Sequence, residues 1–145
     1  MSAVAPYDGR VYIADKSAWV VARHADVAAA WRAAVIGGQI VTCEIVKLEL
    51  LYSARDAAEF VALDEELSAL RNVAVTQSVC SAAVRAMGEL SARSDGYHRV
   101  PTPDILIAAA AQDAGVGVLH YDAHYDRLAE VFNIESRWVA AAGTV

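Results

Sequence analysis

Pro101-Thr102-Pro103-Asp104-Ile105-Leu106-Ile107-Ala108-Ala109-Ala110-Ala111-Gln112-Asp113-Ala114-Gly115-Val116-Gly117-Val118-Leu119-His120-Tyr121-Asp122 is the stretch that decides the fold. Thr102-Pro103-Asp104 opens a helix in good order, with a capping hydroxyl, a proline in the first position and an acid in the first turn. Gly115 ends that helix. Val116 to His120 is then a short, continuous apolar run, the pattern of a strand buried on both faces, and it ends in an acid, Asp122.

The same grammar repeats on either side. Val11 to Ala14 is a buried strand that runs directly into Asp15, and Gln39 to Thr42 and Asn72 to Thr76 also read as strands. Helical patterns cover Ser17–His24, Asp26–Val35, Cys43–Ala54, Ala57–Leu70 (with Asp56 as N-cap), Ser78–Ala92 and Ala123–Val131, and Ser136 to Ala140 is a last strand. Arg93 to Thr102 is the one clear loop. Strands alternating with helices imply an α/β domain, with a mostly parallel sheet covered by helices on both faces.

At 145 residues, with no repeat or linker, the chain reads as one domain, residues 1–10 forming an N-terminal extension. Its 57% hydrophobic content is largely Ala and Val. No apolar run approaches the ~18–20 residues a bilayer requires, so no membrane role is expected. Met1 to Tyr12 lacks a basic region followed by an apolar core, and Cys43 and Cys80 lack metal-ligand spacing. They are expected to be reduced core residues in a cytoplasmic protein. The net charge of −6, from 12 Lys+Arg and 18 Asp+Glu, is awkward for a nucleic-acid enzyme unless bound cations reverse the sign of some acids.

Ligands bind outside the carboxyl ends of parallel strands, and the acids gather at that edge. Asp15 and Asp122 follow strands, Asp104 starts a helix, and Asp126 lies one helical turn after Asp122. Glu49 sits in Ile45-Val46-Lys47-Leu48-Glu49-Leu50-Leu51-Tyr52, a helix apolar nearly all round, which forces it into partial burial. Taken singly, Asp104 serves the helix dipole, Asp122 caps a helix, Glu49 pairs with Arg55 or Arg85, and Asp126 is surface. Asp15 is hardest to explain structurally. Together, crowded carboxylates are costly without a cation, and carboxylates plus water suit Mg²⁺ or Mn²⁺. His120 and His124 raise the alternative of zinc, but a single spacing with no second His or Cys block argues against it. His120 is expected to end its strand in a hydrogen-bonded position and His124 to lie on the helix surface.

Ile13-Ala14-Asp15-Lys16-Ser17-Ala18, Glu49-Leu50-Leu51-Tyr52-Ser53-Ala54, Pro101 to Ala111 and Val118 to Asp126, in this order, resemble the successive motifs of VapC-type PIN-domain ribonucleases, from about Val11 to Trp138. The resemblance implies a three-layer α/β/α PIN-like domain and Mg²⁺- or Mn²⁺-dependent endoribonuclease activity. It also implies the toxin role in a type II toxin–antitoxin module, with a VapB-like antitoxin partner, a homodimer, and a heterotetramer or larger assembly with the antitoxin. By position, Asp15, Glu49, Asp104 and Asp122 match the family's four site acids, Asp126 is a candidate fifth, and Ser17 matches a supporting hydroxyl. Lys16 departs from the small residue usual there; a cation at that position can reach substrate phosphate or brace an acid. Water activated at a metal, rather than the ribose 2′-OH, is then the nucleophile, leaving 5′-phosphate and 3′-hydroxyl ends.

Three further expectations concern the surroundings. Arg93, His98 and Arg99 would form a mobile RNA-contacting flap at the mouth of the site. Trp19, Leu51 and Tyr52 would line an apolar groove for an antitoxin helix. Trp31 and Trp138 are core or dimer residues. The rival readings are a catalytically silent PIN-fold protein-binding module and an aspartate-based phosphotransfer or phosphatase domain. The second wants a second acid beside Asp15, or a Lys after the late strand; the chain has Lys16-Ser17 and Asp122.

Overall fold

Alternate residues of each short strand enter different cores, and that alternation creates the layers. The structure is a computed structural model that describes residues 5–145. β1 (Tyr12–Ala14), β2 (Ile40–Val41), β3 (Gly117–His120) and β4 (Ser136–Trp138) form one sheet in the order β2-β1-β3-β4, with every neighbouring pair parallel. Ile13, Val41 and Val118 join one apolar cluster, whereas Tyr12, Ala14, Ile40 and Leu119 join the other. Successive strand side chains point to opposite faces, so the sheet is the middle of three layers.

α1 (Lys16–Val21) and α2 (Ala25–Ile36) cover one face with Ala18, Val21, Val27 and Ala34. α3 (Glu44–Tyr52), α4 (Ala57–Ser68), α5 (Gln77–Ser91), α6 (Thr102–Ala114) and α7 (His124–Leu128) serve the other, through residues such as Val46, Leu67, Leu90, Ile107 and Leu128. Asp56 caps α4 as the sequence predicts, accepting from the Glu59 amide at 2.8 Å. Gly115 ends α6 in the left-handed conformation (φ 69°) that favours glycine. Gly117 has a different reason: a Cβ there would lie 2.7 Å from Tyr12 Cδ1 and 2.8 Å from the Glu135 carbonyl oxygen.

Several boundaries differ from the sequence reading. Asn72 to Thr76 is no strand: only Asn72 bridges to Thr42, because Thr76 turns away to cap α5 through the Val79 amide. Thr102 is the first residue of α6 rather than its cap, and no side chain caps that helix. Residues 1–4 lie outside the described residues. Residues 5–10 pack against the domain: Tyr7 is buried edge-on against Tyr12, and Gln39 Nε2 donates to the Pro6 and Arg10 carbonyls at 2.6 and 3.2 Å. Asp8 and Arg10 pair with Arg137 and Glu135, each at 2.6 Å. Cys43 and Cys80 are both free thiols, the first buried and the second half-buried. No helix among the described residues is long and apolar enough to cross a membrane.

The strand order sets the location of the site. From β1 the chain moves outward to β2, then returns to the other side of β1 as β3. Such a reversal opens a crevice at the carboxyl ends of β1 and β3, where Asp15 and Asp122 stand.

Candidate active site

Asp15 leaves β1 directly, its amide bonded to the Leu119 carbonyl of β3 at 2.9 Å. Its side chain also has a structural use: Oδ2 caps α1 by accepting from the Ser17 amide at 3.0 Å. Oδ2 also accepts from Ser17 Oγ at 2.6 Å, and Oδ1 accepts from the Tyr125 hydroxyl at 2.8 Å. Ser17 Oγ in turn accepts from the Tyr121 amide at 2.9 Å, which ties α1 to the end of β3. Ser17 and the buried Tyr125, a residue the sequence does not single out, thus each hold one oxygen of Asp15.

The four acids come together. Asp15, Glu49, Asp104 and Asp122 line one open depression of about 460 Å³, with Lys16, Ser17, Val20, Val21, Pro101 and Tyr121 completing its wall. Glu49 reaches it from the middle of α3 and pairs with neither arginine considered for it; Arg55 bonds Glu59 instead, at 2.9 Å. Asp104 is 6% exposed, and burial, then the charges of Asp15 and Asp122, push its carboxyl up to about 7. Burial and the Asp15 charge also raise Glu49, while Lys16 opposes them. Burial and the Asp15 and Asp104 charges hold the Tyr125 hydroxyl protonated, so it donates to Asp15.

His124 lies partly at the surface, its side chain 41% exposed, but its Nδ1 is turned inward and buried. The Asp122 carboxylate accepts from the His124 amide at 3.0 Å, and this tight turn folds the imidazole back over the acids. Nδ1 lies 3.0 Å from Asp122 Oδ1 and 3.3 Å from Asp104 Oδ2, but neither approach has hydrogen-bond geometry. His120 behaves as the sequence predicts: Nε2 pairs with Ser136 Oγ at 2.7 Å and Nδ1 accepts from the Asp122 amide at 3.1 Å. Burial lowers its pKa to about 4, which keeps it neutral.

Asp126 is the correction within the acid set. Its oxygens accept from Ser136 Oγ at 2.8 Å and Trp138 Nε1 at 3.0 Å, so it braces β4 and Trp138 rather than joining the depression. The loop with Arg93, His98 and Arg99 is not built as a free flap. Arg93 and Tyr97 both bond Glu130, at 3.1 and 2.6 Å, and Arg127 stacks over the Tyr97 ring. His98 is half-buried; Arg99 alone of the three stands exposed and without a bonded partner among the contacts of the described residues. Nor do Trp19, Leu51 and Tyr52 share a groove. Trp19 stacks edge-on against Trp31 at 5.0 Å and lines clefts beside α1 and α2. Leu51 packs on the core, and Tyr52 is 90% exposed at the end of α3.

The PIN-domain profile matches residues 12–131. The chain belongs to the PIN-domain family. It is 38% identical to "Ribonuclease VapC18" of Mycobacterium tuberculosis over 136 residues, covering 93% of this chain and 99% of that one. It is also 38% identical to "Ribonuclease VapC51" of the same organism, over 74% of this chain and 77% of the relative. Among solved structures, VapBC2 from Rickettsia felis, bound to a DNA fragment from its promoter, superposes with a TM-score of 0.69 at 17% identity, covering 88% of this chain and 98% of that one. That likeness concerns the PIN fold. Membership of this family sets aside the phosphotransfer and phosphatase readings of Asp15.

Proposed function

We propose that this PIN-domain chain is a metal-dependent endoribonuclease and the toxin half of a type II toxin–antitoxin pair, working in the cytoplasm. The observation that carries the reading is the state of two buried oxygens. Asp104 Oδ2 and Glu49 Oε1 are out of water and lack hydrogen-bond partners, in a depression that also holds Asp15 and Asp122. Unpaired carboxylate oxygens are costly to bury, and a shared divalent cation relieves that cost. The donors are mostly carboxylate oxygens, which fits Mg²⁺ or Mn²⁺. The names of the VapC relatives support RNA as the substrate.

Asp15, Glu49, Asp104 and Asp122 would hold the cation. When bound, it supplies an activated water and neutralises charge on the attacked phosphodiester. The protein's own part is orientation. Ser17 and Tyr125 fix both oxygens of Asp15, so that carboxylate meets a ligand without reorganising. Asp104 presents its unpartnered oxygen from the first turn of α6. Lys16, on the wall of the depression, offers a cation to the RNA phosphate where acids otherwise repel it.

The VapBC name of the structural neighbour supports a VapB-like antitoxin as partner. The clefts lined by Trp19 and Trp31 give an apolar helix somewhere to dock, and an Arg carried beyond that helix would plug the acidic depression. A homodimer, joined by antitoxin into a heterotetramer or larger assembly, completes the reading. The silent-module alternative predicts no metal binding. Incubating the purified chain with single-stranded RNA in Mg²⁺, in Mn²⁺ and in excess chelator separates the two: cleavage with metal that stops with chelator is expected, and no cleavage under any condition rejects the enzyme.

A further inference from the structure

The imidazole of His124 is the feature of the site that neither the four acids nor the expected chemistry accounts for. Its Nδ1 is buried, has no hydrogen-bond partner and faces two carboxylates, 3.0 and 3.3 Å away. A buried ring nitrogen with no hydrogen-bond partner, set against two carboxylates, is an arrangement that a shared cation would satisfy. Asp104, 6% exposed, aims its own unpartnered Oδ2 into the same space. One ligand atom from each of Asp104, Asp122 and His124 can be chosen so that all lie within 4.8 Å of one another. Around an octahedral ion with ligand distances of about 2.1 Å, adjacent donors are about 3 Å apart, close to the 3.0 and 3.3 Å that separate His124 Nδ1 from the two carboxylates.

We propose that His124 is a metal ligand through Nδ1, and that this nitrogen gives the site a preference for Mn²⁺ over Mg²⁺. The inference rests on the proposed metal-dependent reading and adds the identity of the ion. Imidazole nitrogen binds first-row transition ions far better than it binds Mg²⁺, which prefers oxygen and water. His120 cannot supply the nitrogen, because both of its ring atoms are already engaged inside the protein. His124 is placed for the role by the turn that Asp122 makes with the His124 amide, so one carboxylate both shares the ion and orients its neighbouring ligand.

The test is pulsed electron paramagnetic resonance on Mn²⁺ bound to the full chain, together with Mn²⁺ titrations competed by Mg²⁺. Nitrogen modulation from one directly bound imidazole is expected in the wild type, with Mn²⁺ binding preferred. His124→Asn should remove the modulation and weaken Mn²⁺ binding roughly 10- to 100-fold, the size seen when groups supporting a metal site are lost, with a smaller effect on Mg²⁺. If the variant fails to fold, the wild-type spectrum decides alone. Mn²⁺ bound without nitrogen modulation, or an unchanged spectrum in folded His124→Asn, overturns the nitrogen ligand and leaves metal-dependent cleavage standing. A chain that binds neither ion overturns the metal reading itself, and this inference with it.

Discussion

The Tyr125 hydroxyl donates to Asp15 Oδ1 at 2.8 Å across a sequence separation of 110 residues, and the tyrosine is fully buried. The bond joins the acid that ends the first strand to the short helix that follows the third. It makes the position of Asp15 a property of the whole sheet rather than of its own loop. Tyr125→Phe keeps the ring and removes only the hydroxyl. Loss of a hydrogen bond to a charged acceptor should cost about 1.5–3 kcal/mol in a chelator-containing thermal melt. RNA cleavage should fall about 10- to 100-fold, as for other groups that orient a ligand. A variant with wild-type melting and activity would remove Tyr125 from the site.

The crowded acids also set the pH response. Asp104 titrates at about 7 in the folded chain and Glu49 is raised as well, both above their unfolded values, so in this interval the folded state holds protons that the unfolded state has released. Without cation, stability should therefore be highest below the unfolded carboxylate pKa and should decline as pH rises from about 4 toward 7. A divalent cation binds the folded, ionised form and should restore stability, more at pH 7 than at pH 5. Melts at both pH values, with and without Mn²⁺, check the sign; a metal effect larger at pH 5 would contradict it.

Gly117 reports on the packing that carries the site. Its missing Cβ lets Tyr12 and the Glu135 carbonyl approach β3. Gly117→Ala should destabilise the chain by about 1–3 kcal/mol in denaturant unfolding, because backbone on one side cannot give way. Tyr52→Ala is the contrast. At 90% exposure it should change stability by no more than about 0.5 kcal/mol, so any loss of antitoxin binding in that variant would be a surface effect.

How much of this was legible in the sequence follows from what each residue depends on. Asp15, Asp104 and Asp122 could be placed because strand ends and helix starts share one edge of a parallel sheet, whatever the details of packing. Glu49 followed from a helix with no polar face to put it on. Side-chain direction beyond a short turn was not legible. Asp126 lies one helical turn from Asp122, yet Ser136 and Trp138, which claim its oxygens, arrive from a different strand. The inward turn of the His124 Nδ1 is a second such case; the signal for it is the spacing Asp122-x-His124, where an Asx turn folds the second residue back. Asn72 to Thr76 has a strand's composition, but Thr76 is needed as a cap.

The account turns on the claim that Asp104 and Asp15 hold the ion that cleaves RNA. The direct measurement is cleavage of single-stranded RNA by wild type, Asp15→Asn and Asp104→Asn at saturating Mn²⁺, with thermal melts of each in chelator. Both variants should lose cleavage by about 100-fold or more. Asp104→Asn should also melt at the same temperature as wild type or higher, because it removes a charge from a crowded site. Near-wild-type cleavage by either folded variant would contradict the account.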